Sequence, residues 1–203
     1  METRIARILS YLLHPVLMPM IGFLWAYAQP SLFSRSISLR AFLMIFAAVF
    51  IFTFLIPIVG SLLLIKTNRL KSIEMHQSSE RSVPLLITGL SYMALLYIFR
   101  NTAVPGLYLY IIYAALIVLV TGMTMNVFWK VSLHTLAWGA ASCVLFFIAI
   151  NYATADLLTL TGVLILSGLA GTARLKLNAH SEAQIYTGYA AGAGIIMLLN
   201  LLL

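Results

Sequence analysis

Charged residues are scarce in this sequence. Only 8% of its 203 residues are charged and 63% are hydrophobic, whereas a soluble domain carries about 25% charged residues. The composition therefore argues against a soluble enzyme and predicts a multi-pass membrane protein. Because an open strand cannot satisfy its backbone hydrogen bonds in lipid, we expect an all-α fold, a polytopic transmembrane helix bundle that forms one integral membrane domain over residues 1–203.

Acidic residues and cysteines are also few. The chain has five Asp and Glu residues in total and one cysteine, Cys143, which lies in an apolar stretch. A lone thiol can form neither a disulfide within the chain nor a cluster of thiolate ligands. Mg²⁺ and Ca²⁺ require several oxygen ligands, which the scattered acids do not offer. We therefore expect no metal and no cofactor.

Basic residues give the chain a net charge of +7. They stand in short polar segments between apolar stretches, where they favour membrane orientation and contact with anionic lipid rather than nucleic acid. Their distribution favours a cytoplasmic location for the most basic membrane face if the first apolar stretch spans. If Arg81, Lys130 and Arg174 bind substrate and are left out of the count, the preference reverses when that stretch is re-entrant, because Arg4 and Arg7 then change sides. The side of the membrane is therefore undecided at this stage.

Seven apolar stretches approach the length of a membrane-spanning helix, about 20 residues. They cover residues 9–28, 41–65, 84–99, 106–128, 134–151, 157–173 and 184–203. The first contains His14 followed by Pro15, where we expect a kink or a hydrogen bond between helices. The bundle has six or seven spanning helices, depending on whether this stretch crosses. Gly188, Gly192 and Gly194 in the last stretch are typical of close helix packing.

Three polar clusters separate these stretches, at residues 66–84, 129–134 and 174–180. Two predicted spans lie between each cluster and the next. An even number of spans returns the chain to the same side of the membrane. The three clusters are therefore expected to meet on one membrane face.

Together the clusters contain the side chains of an oxyanion site, for which phosphate is the best ligand. These side chains are Arg81, Lys130, Ser132, His134, Arg174 and His180. Two histidines without a third ligand make a poor zinc site. Beside a cationic clamp they suggest covalent transfer, in which one imidazole attacks phosphorus and the other protonates the leaving oxygen. Simpler roles stay open, with Arg174 as an interfacial anchor, Lys130 as a boundary lysine and Ser132 as a helix cap.

The last cluster resembles a known motif. The pattern Ala-Arg-x5-His-x3-Gln at Arg174, His180 and Gln184 is similar to the third motif of the type 2 phosphatidic acid phosphatase superfamily, Ser-Arg-x5-His-x3-Asp. The segment VSLH (131–134) resembles its second motif, Pro-Ser-Gly-His, and ERSVP (80–84) resembles a degenerate first motif, Lys-x6-Arg-Pro. The resemblance covers residues 66–190 and points to a divergent bacterial branch, which implies that superfamily's core in a bacterial inner membrane.

The resemblance implies a role for each matching residue. His180 matches the nucleophile that forms a phosphohistidine, and His134 matches the general acid for the leaving group and later the base for water. Arg174 and Arg81 match phosphate-clamping arginines, and Ser132 matches a ligand of the phosphate oxygens. The superfamily works without a metal. The implied activity is metal-independent hydrolysis of a lipid-linked phosphomonoester or diphosphate.

The sequence departs from the family pattern at three positions. Glu74 stands where the first motif has Lys, so Lys130 or Lys71 must take over that contact, and we favour Lys130. Leu133 replaces the glycine of the second motif, which puts a close backbone approach to phosphate in doubt. Gln184 replaces the aspartate that orients the nucleophile.

The change to Gln184 matters most for function. Gln184 and His180 are four residues apart and share one helix face, so the amide carbonyl can accept a hydrogen bond from the imidazole Nδ1–H. An amide brings no negative charge to stabilise an imidazolium. The alternative function is therefore a non-catalytic membrane protein that binds anionic lipid phosphate or scaffolds a partner. A small transporter is disfavoured, because the chain shows no inverted repeat.

Overall fold

The computed structural model describes residues 2–29, 37–70, 78–151 and 157–202. Helices account for 87% of it, and the described residues contain no strand. In chain order the helices are α1 (Thr3–Leu12), α2 (Met18–Ala28), α3 (Leu39–Lys66), α4 (Ser82–Arg100), α5 (Gly106–Phe128), α6 (Leu133–Asn151), α7 (Leu157–Lys176) and α8 (Glu182–Leu202). The expected all-α fold is confirmed.

Seven helical segments in the described ranges are long and apolar enough to cross a membrane. From α3 onward their ends agree with the predicted stretches to within about one helical turn. Large apolar side chains face outward along them, as Leu158 and Leu201 illustrate with exposed fractions of 83% and 71%. Such a surface is compatible with a multi-pass protein whose outer side chains contact lipid.

The first segment is divided into two helices. α1 ends at Leu12, a short 3-10 turn covers Pro15–Leu17, and α2 begins at Met18. Pro15 has no N–H to continue the helix, and His14 before it is extended, with φ −70° and ψ 137°. The expected kink at His14 is therefore a complete break. With eleven residues, α2 alone is about 16 Å long, roughly half of the hydrocarbon thickness.

The chain forms two compact units. One consists of residues 1–18 and 124–203, and it contains α1, α6, α7 and α8. The other consists of residues 19–123 and contains α3 and α4. The second and third polar clusters belong to the first unit, and the first polar cluster belongs to the second.

Within the first unit, α6 and α8 pack with their backbones in contact. A Cβ added to Gly139 of α6 would lie 2.1 Å from the Tyr189 carbonyl oxygen, and one added to Gly192 of α8 would lie 1.9 Å from the Leu136 carbonyl oxygen. A Cβ at Gly188 would lie 2.6 Å from Thr135 Oγ1. The predicted role of glycine in helix packing is confirmed for Gly188 and Gly192. It is wrong for Gly194, around which an added Cβ would meet nothing within 4 Å.

The second unit has an aromatic core and a distorted helix. The ring of Phe23 lies 4.7 Å from that of Tyr108 and 6.2 Å from that of Phe99, measured between centroids. α3 widens into a π-helix over Phe50–Leu55, just before Pro57, which cannot donate to the carbonyl four residues earlier. Within this distortion the Phe52 carbonyl accepts the Ser91 hydroxyl from α4. The hydrogen bond ties the two helices together.

Replacing Gly192 by alanine tests the backbone contact between α6 and α8. The added methyl group has no space against the Leu136 carbonyl, so we expect Gly192→Ala to cost about 1–3 kcal/mol of folding free energy. The measurement is thermal unfolding in detergent. Gly194→Ala is the matched control, and we expect it to be neutral or to stabilise by up to about 1 kcal/mol, because alanine favours a helix over glycine. Equal effects of the two variants would contradict the close contact.

Candidate functional site

The second and third polar clusters meet in the first unit. Helix α6 begins at Leu133, within the second cluster, and α8 begins at Glu182, just after the third. The backbone N–H of Ser132 donates to the carbonyl of Gln184 at 3.3 Å, which joins the second cluster to the first turn of α8, just after the third cluster. The structure therefore brings these two clusters close together, while their location on one membrane face stays a prediction. The glycine contacts farther along α6 and α8 bring these helix starts together.

His180 and Gln184 form the contact that their spacing predicts. The distance from His180 Nδ1 to Gln184 Oε1 is 3.1 Å, and the backbone N–H of Ser181 donates to the same Oε1 at 3.2 Å. A backbone N–H only donates, so the atom that faces it is the amide oxygen. Nδ1 of His180 must then carry the proton. The neutral imidazole therefore has its lone pair on Nε2, the arrangement that a nucleophile needs.

His134 is held in the opposite tautomer. Its Nε2 lies 3.0 Å from the carbonyl oxygen of Ser10 in α1, and because a carbonyl only accepts, Nε2–H is the donor. The Ser10 hydroxyl lies 3.4 Å from the same nitrogen. His134 and His180 are each buried, with 8% of their surface exposed. A general acid would deliver the proton on Nε2, but in this structure that N–H donates to the Ser10 carbonyl.

Arg174 lies at the end of α7 and reaches the same serine. Its NH1 donates to the Ser10 hydroxyl at 2.8 Å. Arg174, His180 and the imidazole of His14 are close enough to His134 to interact with it electrostatically. A guanidinium and three imidazoles therefore lie near one another, and this set of groups suits a ligand of negative charge.

Ser132 and Lys130 lie in the connection between α5 and α6. The Ser132 side chain is fully buried, and its hydroxyl accepts from the Thr135 N–H at 3.4 Å, which is the contact of a helix N-cap. This favours the capping alternative for Ser132, while its phosphate contact stays a prediction. Lys130 is partly buried in the same connection, shortly before the start of α6.

The remaining predicted residues lie elsewhere in the chain. Arg81 belongs to the second unit, where it ends a short 3-10 turn before α4 and is buried, with 5% exposed. Its participation in the clamp stays a prediction. Lys71 and Glu74, the residues considered for the first motif, lie outside the described residues.

Three residues of this region were not among the predicted site residues. They are Ser10, His14 and Trp138. The His14 ring meets the His134 ring edge to face with centroids 5.0 Å apart, and Trp138 Nε1 donates to the Leu13 carbonyl at 3.1 Å. One signal was available, because polar residues within an apolar stretch of a membrane protein usually have a partner. The partner itself could not be read from the sequence, since Ser10 and His134 are 124 positions apart.

Comparisons with protein-family models, with curated proteins and with solved structures find no match. The chain's own residues and their geometry are therefore the basis for any functional assignment.

The two tautomers can be measured directly. In protein labelled with ¹⁵N-histidine at pH about 8.5, well above the ordinary imidazole pKa of about 6.5, we expect His180 as the Nδ1–H form and His14 and His134 as Nε2–H forms. His14 is fixed because its Nδ1 accepts the Val16 N–H at 3.2 Å. Single histidine variants assign the signals. Gln184→Leu should convert His180 to a mixture and leave His14 unchanged. A neutral His180 protonated on Nε2 would contradict the structure.

Proposed function

We propose that the chain is a membrane-embedded phosphatase that hydrolyses a lipid-linked phosphomonoester or diphosphate through a phosphohistidine at His180. The observation that carries the proposal is the contact of His180 Nδ1 with Gln184 Oε1, which leaves the lone pair of the imidazole on Nε2. A buried histidine with no catalytic task does not require this tautomer. Its position near Arg174 and His134 supplies the charge and the proton that phosphoryl transfer needs.

The proposed reaction has two steps. In the first, Nε2 of His180 attacks phosphorus, the bond from phosphorus to the lipid oxygen breaks, and His134 Nε2–H gives its proton to that leaving oxygen. In the second, His134 takes a proton from water, the water oxygen attacks phosphorus, and the P–N bond breaks to release phosphate and free His180. Arg174 neutralises the charge on the phosphoryl oxygens in both steps, with Lys130 as a further cation of the clamp.

The location of these residues supports a lipid substrate. His134 lies at the start of α6, Arg174 at the end of α7 and His180 just before α8, all at the ends of apolar helices. A phosphate headgroup can reach such a position from the membrane surface while its tails stay among the helices' lipid-facing side chains. Candidate substrates are phosphatidate-type lipids, polyprenyl diphosphates and phosphorylated lipid A. The sequence resemblance to the type 2 phosphatidic acid phosphatase superfamily supports the same class and implies that superfamily's core.

Phosphate release from these lipids in mixed micelles with chelator tests the proposal. We expect His180→Ala to abolish turnover, since the nucleophile is gone, and Arg174→Ala to lower kcat by about 10²–10³, the usual effect of removing one charge-stabilising donor. Lys176→Ala is the matched control, because Lys176 is exposed two residues further along α7. We expect it to retain activity. Undiminished phosphate release by a folded His180→Ala protein would refute the mechanism.

Gln184→Asp tests the missing negative charge. A carboxylate in place of the amide would stabilise the imidazolium that forms as His180 attacks, so we expect faster turnover. The gain should stay below the factor of about 10⁴ that neutralising the corresponding aspartate costs a serine protease, because Gln184 already fixes the tautomer. Gln184→Asn controls for the shorter side chain. A Gln184→Asp protein no faster than Gln184→Asn would show that charge at this position does not limit the rate.

The second candidate function is a protein that binds anionic lipid phosphate without hydrolysing it. The uncharged Gln184 beside His180 favours it, because an amide supplies no negative charge to the imidazolium of a reaction intermediate. Lipid-phosphate binding with no turnover of any lipid over a broad pH range would support it over the phosphatase.

A further inference from the structure

Carbonyl groups at the C-terminal end of α1 accept hydrogen bonds from side chains of α6. The last carbonyls of a helix have no partner within the helix. In α1, the N–H of His14 bonds to the Tyr11 carbonyl at 3.3 Å, and the Ser10 carbonyl accepts His134 Nε2–H instead. The Leu13 carbonyl accepts Trp138 Nε1–H in the same way. His134 and Trp138 are four residues apart on one face of α6, so the pair caps the end of α1.

Ser10 also accepts a hydrogen bond from the cationic group of the site. Arg174 NH1 donates to the Ser10 hydroxyl, while His134 Nε2–H donates to the Ser10 carbonyl. Both donors belong to the proposed phosphate site, and in this structure both are directed at oxygen atoms of a single residue. A phosphate group bound between Arg174 and His134 would accept hydrogen bonds from the same two side chains. Ser10 and a phosphate-bearing ligand therefore compete for them.

We propose that the end of α1 is a displaceable gate in which Ser10 occupies the anion site, so that a phosphate-bearing ligand binds only when α1 moves away. The identity of that ligand as a substrate rests on the proposed phosphatase function. Charged acceptors form shorter and stronger hydrogen bonds with a guanidinium than neutral hydroxyl and carbonyl oxygens do. Phosphate can therefore displace Ser10. The apparent affinity is the intrinsic affinity multiplied by the fraction of molecules in which the site is free of Ser10.

The buried side chains of α1 are compatible with a helix that can move away from α6 and α7. Only two residues of α1 are buried, the small residues Ala6 and Ser10, and Leu13 just after it is buried as well. The other side carries two exposed arginines and several apolar side chains that are about half exposed, which are Arg4, Arg7, Ile5, Ile8, Tyr11 and Leu12. A short basic amphipathic helix of this kind is stable in the interface between lipid headgroups and chains. The break at His14 and Pro15 supplies the hinge.

The test measures binding of inorganic phosphate and of orthovanadate to the purified full chain in detergent by calorimetry. Ser10→Ala removes the hydroxyl that accepts from Arg174, so we expect this variant to bind both anions about tenfold more tightly than the wild type. Trp138→Phe removes the cap on Leu13 and should tighten binding in the same direction. Thr172→Ala is the matched control, because it deletes an exposed hydroxyl on α7 that donates to the Gly168 carbonyl of its own helix. We expect no change from it.

Hydrogen–deuterium exchange of the wild-type chain tests the gate without requiring that any variant folds. With orthovanadate bound, the backbone amides of α1 should exchange with solvent deuterium faster, while those of α8 keep their protection. If Ser10 instead positions Arg174 and His134 for the ligand, Ser10→Ala weakens anion binding and vanadate slows exchange in α1. Either of those results overturns the gate. Equal affinities of wild type and Ser10→Ala, or no anion binding by either protein, also overturn it.

The gate and the phosphatase can fail separately. Anion binding requires no turnover. About tenfold tighter binding by Ser10→Ala without hydrolysis of any lipid would therefore support the gate and refute the phosphatase. Hydrolysis of a lipid phosphate by the wild type, with Ser10→Ala no different in affinity or rate, supports the enzyme and removes the gate.

Discussion

The backbone contact between α6 and α8 is the interaction on which the candidate site depends. Gly139 and Gly192 each face a carbonyl oxygen of the opposite helix, at distances that leave no room for a side chain. This contact is what allows the Ser132 N–H to reach the Gln184 carbonyl at the ends of the two helices. Apolar burial does not drive helices together in lipid as it does in water, so close backbone packing and hydrogen bonds must supply the association. A wider separation would take His134 away from His180.

Hydrogen bonds to the backbone set the chemistry of the three histidines. The Ser181 N–H orients the Gln184 amide, and this amide fixes His180 as the Nδ1–H form. The Ser10 carbonyl and the Val16 N–H fix His134 and His14 as Nε2–H forms. Under the proposed function, a neutral amide can therefore fix the tautomer and orientation of the nucleophile, because these need only a hydrogen-bond acceptor. Aspartate has this role in the superfamily that the sequence resembles. The amide cannot supply the negative charge that stabilises an imidazolium.

The break in the first segment connects the fold to the candidate site. Pro15 ends the helix that would otherwise continue through His14, and the end of α1 then presents carbonyl groups that need donors. His134 and Trp138 supply them from α6, and Arg174 adds a third donor from α7 at the Ser10 hydroxyl. These hydrogen bonds hold α1 in place. Under the proposed gate they also compete with ligand binding, because an anion would accept hydrogen bonds from His134 and Arg174 as well.

The sequence alone determined the helical class, the limits of the later helices and one contact of the site. A long apolar stretch can satisfy its backbone hydrogen bonds in lipid by forming a helix, so the ends of α3 to α8 were predicted to within about one helical turn. The pairing of His180 with Gln184 followed from a spacing of four residues on one helix. The tertiary structure decided what lies far apart in the chain. It joined Ser10 to His134 and Arg174, gave Gly192 a packing role that Gly194 lacks, and turned the expected kink at His14 into a break. Local spacing cannot reveal these contacts, because they depend on which faces of separate helices meet.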